Sequence, residues 1–254
     1  MIDIHCHILP NIDDGPPNDF DFLMMANQAV KNGITHAYAT PHHLNGLYFN
    51  PKEKILKLAV EYNTLLEMNN IPLQIHPGQE LRIHREIFQS LERNEILTLD
   101  NKGKYLLLEL PSREIPDNTQ EVVYELLLKG LTPIFVHPER NRGFHEDHNL
   151  LFDLAQEGAL FQLTAGSIVG QFGKKIQSFS EKIIEHKLAH FIATDAHNIH
   201  FRGSNLKEAY EWVTNKIGIH HTFYLKENTE LLLTGKNVHI EQPVPFRKRF
   251  LRIF

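Results

Sequence analysis

A single cysteine stands among the 254 residues, so no internal disulfide is available, and the chain is expected in a reducing compartment, the cytoplasm. No apolar run approaches the roughly 20 residues that cross a bilayer. Asp3, His5, His7 and Pro10 interrupt the start where a secretory leader would need an apolar stretch. Positive charge is not in excess: 26 Lys and Arg against 31 Asp and Glu leave a net charge of −5, which excludes an electrostatic footprint for nucleic acid or an acidic membrane surface. No Gly/Ser linker, repeat or low-complexity tract divides the chain. One domain over residues 1–254 is expected, because α/β barrels reach this length undivided. The short basic and aromatic tail 243–254, PVPFRKRFLRIF, reads as docked on that domain or as a contact for a partner or a membrane surface.

What is abundant is histidine, 17 residues in all. Their placement matters more than their number. Apolar runs alternate with segments of helical period, as in repeated βα units. Strands are expected at Ile2–Cys6, His36–Ala39, Leu73–His76, Tyr105–Leu110, Pro133–Val136, Leu160–Leu163 and Phe191–Ala193. Helices are expected at Asp19–Asn32, Pro51–Asn69, Thr119–Lys129, Leu150–Gln156, Ile176–His186 and Asn205–Ile217, several of them closed by a glycine. Such alternation favours a parallel sheet, closed as a barrel or open and doubly wound.

Six of the seven expected strands run into a histidine or a carboxylate. His5 and His7 alternate with Cys6, so the two imidazoles share a face and the thiol points away. Asp14 follows in the next loop. TPHH supplies His42, GQE supplies Glu80, LLLEL supplies Glu109, IFVHPER supplies His137, and FIATDAH supplies Asp195 and His197. Barrels assemble their sites from several strand ends at one face. Imidazole with carboxylate suits Zn, Mn or Fe, and the lack of thiolates argues against a structural zinc site. Nine ligands exceed the needs of one ion, so two or three metals are expected. Three divalent cations set against four carboxylates leave a net positive site, which favours a phosphate ester. Arg140, three residues after His137, would hold phosphate bidentately; its alternative is a surface ion pair with Glu139.

Together these motifs resemble the PHP superfamily, and within it the bacterial metal-dependent protein-tyrosine phosphatases found with capsule and exopolysaccharide genes. HCH, IDDG, TPHH, GQE, LLLEL, VHPERN and TDAHN occur in that order between residue 1 and about residue 210. The resemblance implies a distorted (β/α)7 TIM-like barrel, the PHP fold, with a trinuclear site usually described as manganese-dependent; Fe, Zn or Mg are alternatives. It implies His5, His7, Glu80 and Asp195 around one metal, Glu80, Glu109 and His137 around the second, and Asp14, His42 and His197 around the third. Arg140 would bind the phosphoryl group and act with Asp195 and His197 in catalysis. Arg202, in NIHFRGS, is a further phosphate-binding candidate or a surface arginine.

The implied reaction is hydrolysis of protein phosphotyrosine by a metal-activated water, with a bacterial tyrosine kinase and its substrates as partners. The alternative is a small-molecule PHP phosphatase such as histidinol-phosphate phosphatase. Amidohydrolases also open with HxH, but typically bridge metals with a strand-end lysine, where this chain has Glu109. A non-catalytic binding module with a vestigial site should have lost ligands. A cysteine-based tyrosine phosphatase needs arginine six positions after its nucleophile; six after Cys6 is Ile12. Cys6 is therefore expected to pack as a small hydrophobe. Asp13 is expected outside the ligand set. His43, His145, His148, His220 and His221 are read as solvated or loop-packing. Asn45–Asn50 reads as a rim in which Tyr48 or Phe49 stacks on a substrate ring, or as a loop packing its own aromatic. Gly166–Gly173 reads as a mobile loop near the mouth.

Overall fold

The computed structural model describes residues 1–84 and 86–246. Among them are nine strands: β1 (Ile2–Cys6), β2 (His36–Ala39), β3 (His42–His43), β4 (Gln74–Pro77), β5 (Glu80–Arg82), β6 (Tyr105–Glu109), β7 (Thr132–Val136), β8 (Leu160–Thr164) and β9 (Phe191–Ala193). The helices are α1 (Asp19–Lys31), α2 (Lys52–Met68), α3 (Ile87–Glu92), α4 (Thr119–Leu128), α5 (Arg142–Glu146), α6 (Asn149–Glu157), α7 (Ala165–Ile168), α8 (Lys174–Glu185), α9 (Leu206–Lys216) and α10 (Ile219–Leu233). All strand pairs are parallel, in two sheets of order β1-β2-β4 and β3-β5-β6-β7-β8-β9. The fold is thus mixed α/β with parallel sheets.

The expected second and third strands appear as β2 and β4. Each is followed at the same level by a further short strand that was not expected, β3 after Thr40–Pro41 and β5 after Gly78–Gln79. Pro41 has no N–H for a ladder. Gly78 is required by close approach, since a Cβ there would lie 2.9 Å from both Leu99 and Thr40 side-chain carbons. Beyond β9 the chain returns to β1: Asp195 N–H donates to the His5 carbonyl and His7 N–H to the Ala196 carbonyl, both at 2.8 Å. Asp3, buried, accepts from Thr194 N–H at 2.9 Å and ties the same two segments together.

Two apolar clusters form the core. One is made by strand residues, among them Ile2, Ile4, Tyr38, Leu107, Ile134, Leu160 and Phe191, with Leu232 and Val238 closing it. The larger one, containing Cys6, packs the strands against the helices. A register shift between Asp3 and Cys6 explains how Ile2 and Ile4 reach the first cluster while His5 and His7 still serve one face.

Helices α3, α5, α7 and α10 were not expected. The stretch read as a mobile loop opens with α7, whose four residues are all buried. The beginning of the tail docks on its own domain: Val244 N–H donates to the His186 carbonyl at 2.9 Å and the Phe246 ring stacks on His186 at 4.1 Å. Residues 247–254 of the tail lie outside the described residues.

Candidate active site

Local structure explains why so many polar groups meet at one rim. His5 is the penultimate residue of β1, His42 opens β3, Glu80 opens β5, Glu109 closes β6, and His137, Asp195 and His197 follow β7 and β9. His137 and Asp195 hold left-handed backbone, φ 40° and 52°. Non-glycine residues carry strain there, which is found where function demands a direction.

His5 and His7 turn their Nε2 atoms towards each other at 3.2 Å. Glu80 Oε2 lies 3.6 Å from His5 Nε2, 3.2 Å from His7 Nε2 and 2.8 Å from His42 Nδ1. Its other oxygen lies 2.9 Å from His137 Nε2. Asp195 Oδ1 is 3.6 Å from both His5 and His7 Nε2. Asp14 Oδ1 is 3.2 Å from His197 Nε2 and 3.6 Å from His42 Nε2. Three overlapping groups have ligand atoms mutually within 4.8 Å: His5, His7 and Glu80; His42, Glu80 and Glu109; and His7, Asp14, His42 and His197. Seven of the nine expected ligands fall in these groups, and His137 and Asp195 lie beside them, at 2.9 Å from Glu80 and 3.6 Å from His5 and His7. The grouping differs in detail from the implied one, with His42 beside Glu80 and Glu109, and His137 on the far oxygen of Glu80.

Glu80 Oε2, His42 Nδ1, Glu109 Oε2 and His197 Nε2 are buried without a hydrogen bond. Buried polar atoms converging without hydrogen-bond geometry suit divalent cations rather than one another. The histidines are oriented from behind. His7 Nδ1 meets Asp13 Oδ2 at 2.7 Å and His5 Nδ1 meets Gln162 Oε1 at 2.8 Å, which leaves both Nε2 atoms facing the centre. Asp13 is in none of the three groups and orients one of their histidines.

The electrostatics are those of a dense, dry cluster. Burial alone would raise Glu80, but His5, His42 and His137 hold it well below the usual carboxylate range. Asp195 is likewise buried yet held low, by Arg140, His5 and Arg202. Glu109 goes the other way, pushed up to about 7 by burial and the neighbouring Glu80 despite Arg82. His137 is pushed down to about 4 by burial and Arg140.

Two arginines converge on one oxygen. Arg140 Nη1 and Arg202 Nη2 each lie 2.8 Å from Asp195 Oδ2, and Arg202 Nη1 lies 3.6 Å from Asp14. Arg140 does not pair with Glu139, which is buried and accepts from Thr164 N–H at 3.0 Å. A third arginine escaped the sequence reading: Arg82 Nη2 lies 2.9 Å from Glu109 Oε2. Arg82 is two residues after Glu80 on one strand, so the same-face rule would have found it. Gln162 carries a similar signal, an amide within an apolar strand.

The other histidines hold loops. His43 is fully buried rather than solvated, accepts from Asn50 N–H at 3.1 Å, and is pushed down to about 4 by burial. His145 Nε2 lies 2.8 Å from the Glu139 carbonyl, and His148 stacks on Phe179. His220 and His221 lie at the start of α10, His220 exposed and His221 partly so. Tyr48 lies parallel to the His42 ring, 6.1 Å between centroids, and Phe49 packs against His43 at 5.2 Å. Phe49 stays 57% exposed. Cys6 is buried on the helix-facing side and its Sγ donates to the Tyr38 carbonyl at 3.3 Å.

The chain is similar to known proteins along most of its length. The family described as capsular polysaccharide synthesis, CpsB/CapC, matches residues 1–234. Tyrosine-protein phosphatase YwqE of Bacillus subtilis (strain 168) is 42% identical over 251 residues, 99% of this chain and 98% of its own length. The putative tyrosine-protein phosphatase CapC of Staphylococcus aureus is 39% identical over 96% of this chain and 95% of its own. A crystal structure from work on YwqE of Bacillus subtilis and CpsB of Streptococcus pneumoniae, described as unique metal-dependent tyrosine phosphatases, matches with a TM-score of 0.94. It is 41% identical and covers 98% of this chain and 100% of the other. These names favour the protein-phosphatase reading over the small-molecule one. A probable 2-pyrone-4,6-dicarboxylic acid hydrolase from Acinetobacter baumannii shares the fold alone, with a TM-score of 0.52 at 11% identity over 92% of this chain and 98% of the other. With the motifs in order along the first strand ends and the match running through most of its length, the chain belongs to the CpsB/CapC family of capsular polysaccharide synthesis.

Proposed function

We propose that this chain hydrolyses phosphotyrosine in proteins, with divalent metals held by His5, His7, Asp14, His42, Glu80, Glu109, His137, Asp195 and His197. The observation that carries this reading is the convergence of buried imidazole and carboxylate atoms that lack a hydrogen bond beside two arginines on Asp195. The seven strand positions then form the staves of a distorted barrel, supported by the backbone bonds between β1 and the segment after β9. Manganese is the metal of choice in this reading, on a donor set of nitrogen and oxygen alone. Such ions, when bound, supply a water of lowered pKa and neutralise phosphate charge.

The chain's own residues do the rest. Arg140 and Arg202, already on the outer oxygen of Asp195, turn their free N–H groups to the phosphoryl oxygens and hold it in line. Asp195, held ionised by Arg140 and Arg202, keeps both guanidinium groups placed. As the water oxygen bonds to phosphorus the bond to the tyrosyl oxygen breaks, and the proton that water gives up passes to the departing phenolate along the edge lined by Asp195 and His197. Asp13 and Gln162 keep His7 and His5 in the tautomers whose Nε2 faces the ions. Cys6 takes no part. The proposed partners are a bacterial tyrosine kinase and its substrates in exopolysaccharide synthesis, in the cytoplasm. That setting is consistent with the lone buried thiol. Among the described residues no helix is long and apolar enough to cross a membrane.

The test is turnover of a phosphotyrosyl peptide and of histidinol phosphate by the manganese-loaded protein, with and without a chelator. The peptide should be the better substrate and the chelator should abolish its turnover. Arg140→Ala should lower kcat/KM by about 10²–10³-fold with metal content retained, and Cys6→Ser should change it by less than about twofold. Full peptide turnover in excess chelator overturns the reading.

A further inference from the structure

We propose that Phe172 and Phe201 form an aromatic wall that makes this site prefer aryl phosphates to alkyl phosphates. The inference rests on the phosphoesterase reading above and assigns its substrate selectivity to two side chains.

Phe172 stands beside one of the arginines on Asp195, and Phe201 stands against Phe172. The Arg140 guanidinium carbon lies 5.5 Å from the Phe172 ring centre while Nη1 of the same group lies 2.8 Å from Asp195 Oδ2. That spacing is a cation–π contact. Phe201 immediately precedes Arg202 and meets Phe172 edge-on, 5.8 Å between centroids and 83° between planes. Phe201 is nevertheless 60% exposed. A large apolar ring left open beside a phosphate-binding pair of arginines is surface available to a ligand.

The wall is built rather than incidental. Phe172 lies in the loop after α7 and Phe201 in the loop after β9, and the two loops are joined where Asn205 Nδ2 donates to Gln171 Oε1 at 2.9 Å. Gly166 lets the first loop fold down. A Cβ there would sit 2.5 Å from Gln171 Oε1 and 3.1 Å from a Phe172 ring carbon. The rim aromatics Tyr48 and Phe49 lie against His42 and His43, and among the described residues neither ring makes a cation–π contact with Arg140 or Arg202. With the phosphoryl group on Arg140 and Arg202, a phenol ring bonded to it reaches the open face of Phe201. The single methylene of a serine ester covers little of that face.

The experiment is calorimetric titration of the metal-loaded full-length chain with phenylphosphonate and with methylphosphonate, neither of which is hydrolysed. Wild type should bind the phenyl compound more tightly by about 5–10-fold. Phe201→Ala, at an exposed position, should reduce that preference to about twofold or less while leaving methylphosphonate affinity within about twofold. Phe172→Leu should also reduce the preference. Equal binding of the two compounds by wild type, binding of neither, or an unchanged preference in Phe201→Ala overturns the proposal. Failure of the phosphotyrosine reading shows elsewhere, as a wild-type protein that prefers phenylphosphonate yet turns over no phosphotyrosyl peptide.

Discussion

His5 and His7 illustrate how much of this site is decided behind the ligands. Two imidazole Nε2 atoms 3.2 Å apart repel unless one carries a proton or both face a cation, and the Asp13 and Gln162 contacts on their Nδ1 atoms favour the second arrangement. The proposed ligands were legible because six of the seven expected strands run into a histidine or carboxylate. The strand-end His43, which instead accepts from Asn50 N–H, shows that placement alone does not make a ligand. Asp13 and Asp14, adjacent and chemically alike, were separable only by placement: Gly15 N–H donates to Asp13 at 2.9 Å and turns it inward, while Asp14 stays exposed at the rim. Away from the site, His190 is fully buried, its Nδ1 accepts from Phe161 N–H at 3.1 Å, and burial pushes it down to about 4. The unfolded chain takes up that proton near the ordinary value of 6.5, whereas the folded chain resists until about pH 4, so stability is lost as pH falls through this window. Metal-free protein should lose about 2 kcal/mol through this group between pH 7 and pH 5. In urea unfolding, His190→Asn, which keeps an acceptor for Phe161, should lose correspondingly less over the same interval. An identical acid slope in both proteins contradicts the assignment.

At the level of elements, strands β6 to β9 were readable because each is a short apolar run bounded by turn residues. The short strands β3 and β5 beyond the second and third were not, since their offset depends on how Gly78 meets Thr40 and Leu99 across the sheet. Nor was the register shift in β1, which lets apolar and ligating residues of one strand serve the same interior. Helix α10 hid for a different reason: its buried positions include Thr222, Asn228 and Thr229, so no apolar stripe marks it. Asn228 instead donates to the His190 carbonyl at 3.2 Å. The loop after β1 offers a direct test. A Cβ on Gly15 would lie 2.4 Å from the His7 carbonyl oxygen, a distance that requires the backbone to move. Gly15→Ala should therefore displace Asp14 and cost about one metal ion per chain, read by elemental analysis, with the far-UV circular dichroism unchanged. Full metal content in that variant contradicts the placement of Asp14.

For the whole molecule, the ligands come from residues 5 to 197, so bound ions would clamp together strands that are otherwise joined only by backbone ladders and the clusters between them. Ligand binding to the folded state alone stabilises it by mass action. At about 100 times the dissociation constant of one ion this is about 2.7 kcal/mol, or about 5–10 °C in Tm for a chain of this size. Removing metal with a chelator should lower Tm by at least that amount, and returning manganese should restore it. The acidic balance of −5 gives no general attraction for phosphoproteins, so recognition falls to the local positive charge of the ions and arginines. The central claim is that this rim holds a multinuclear metal centre. Its most direct test is metal counting, by inductively coupled plasma mass spectrometry, on the purified chain and on Asp14→Ala. The structure predicts two to three divalent ions per chain and about one fewer in the variant. A wild-type chain that holds none after manganese loading, or a variant that holds as many as wild type, would contradict it.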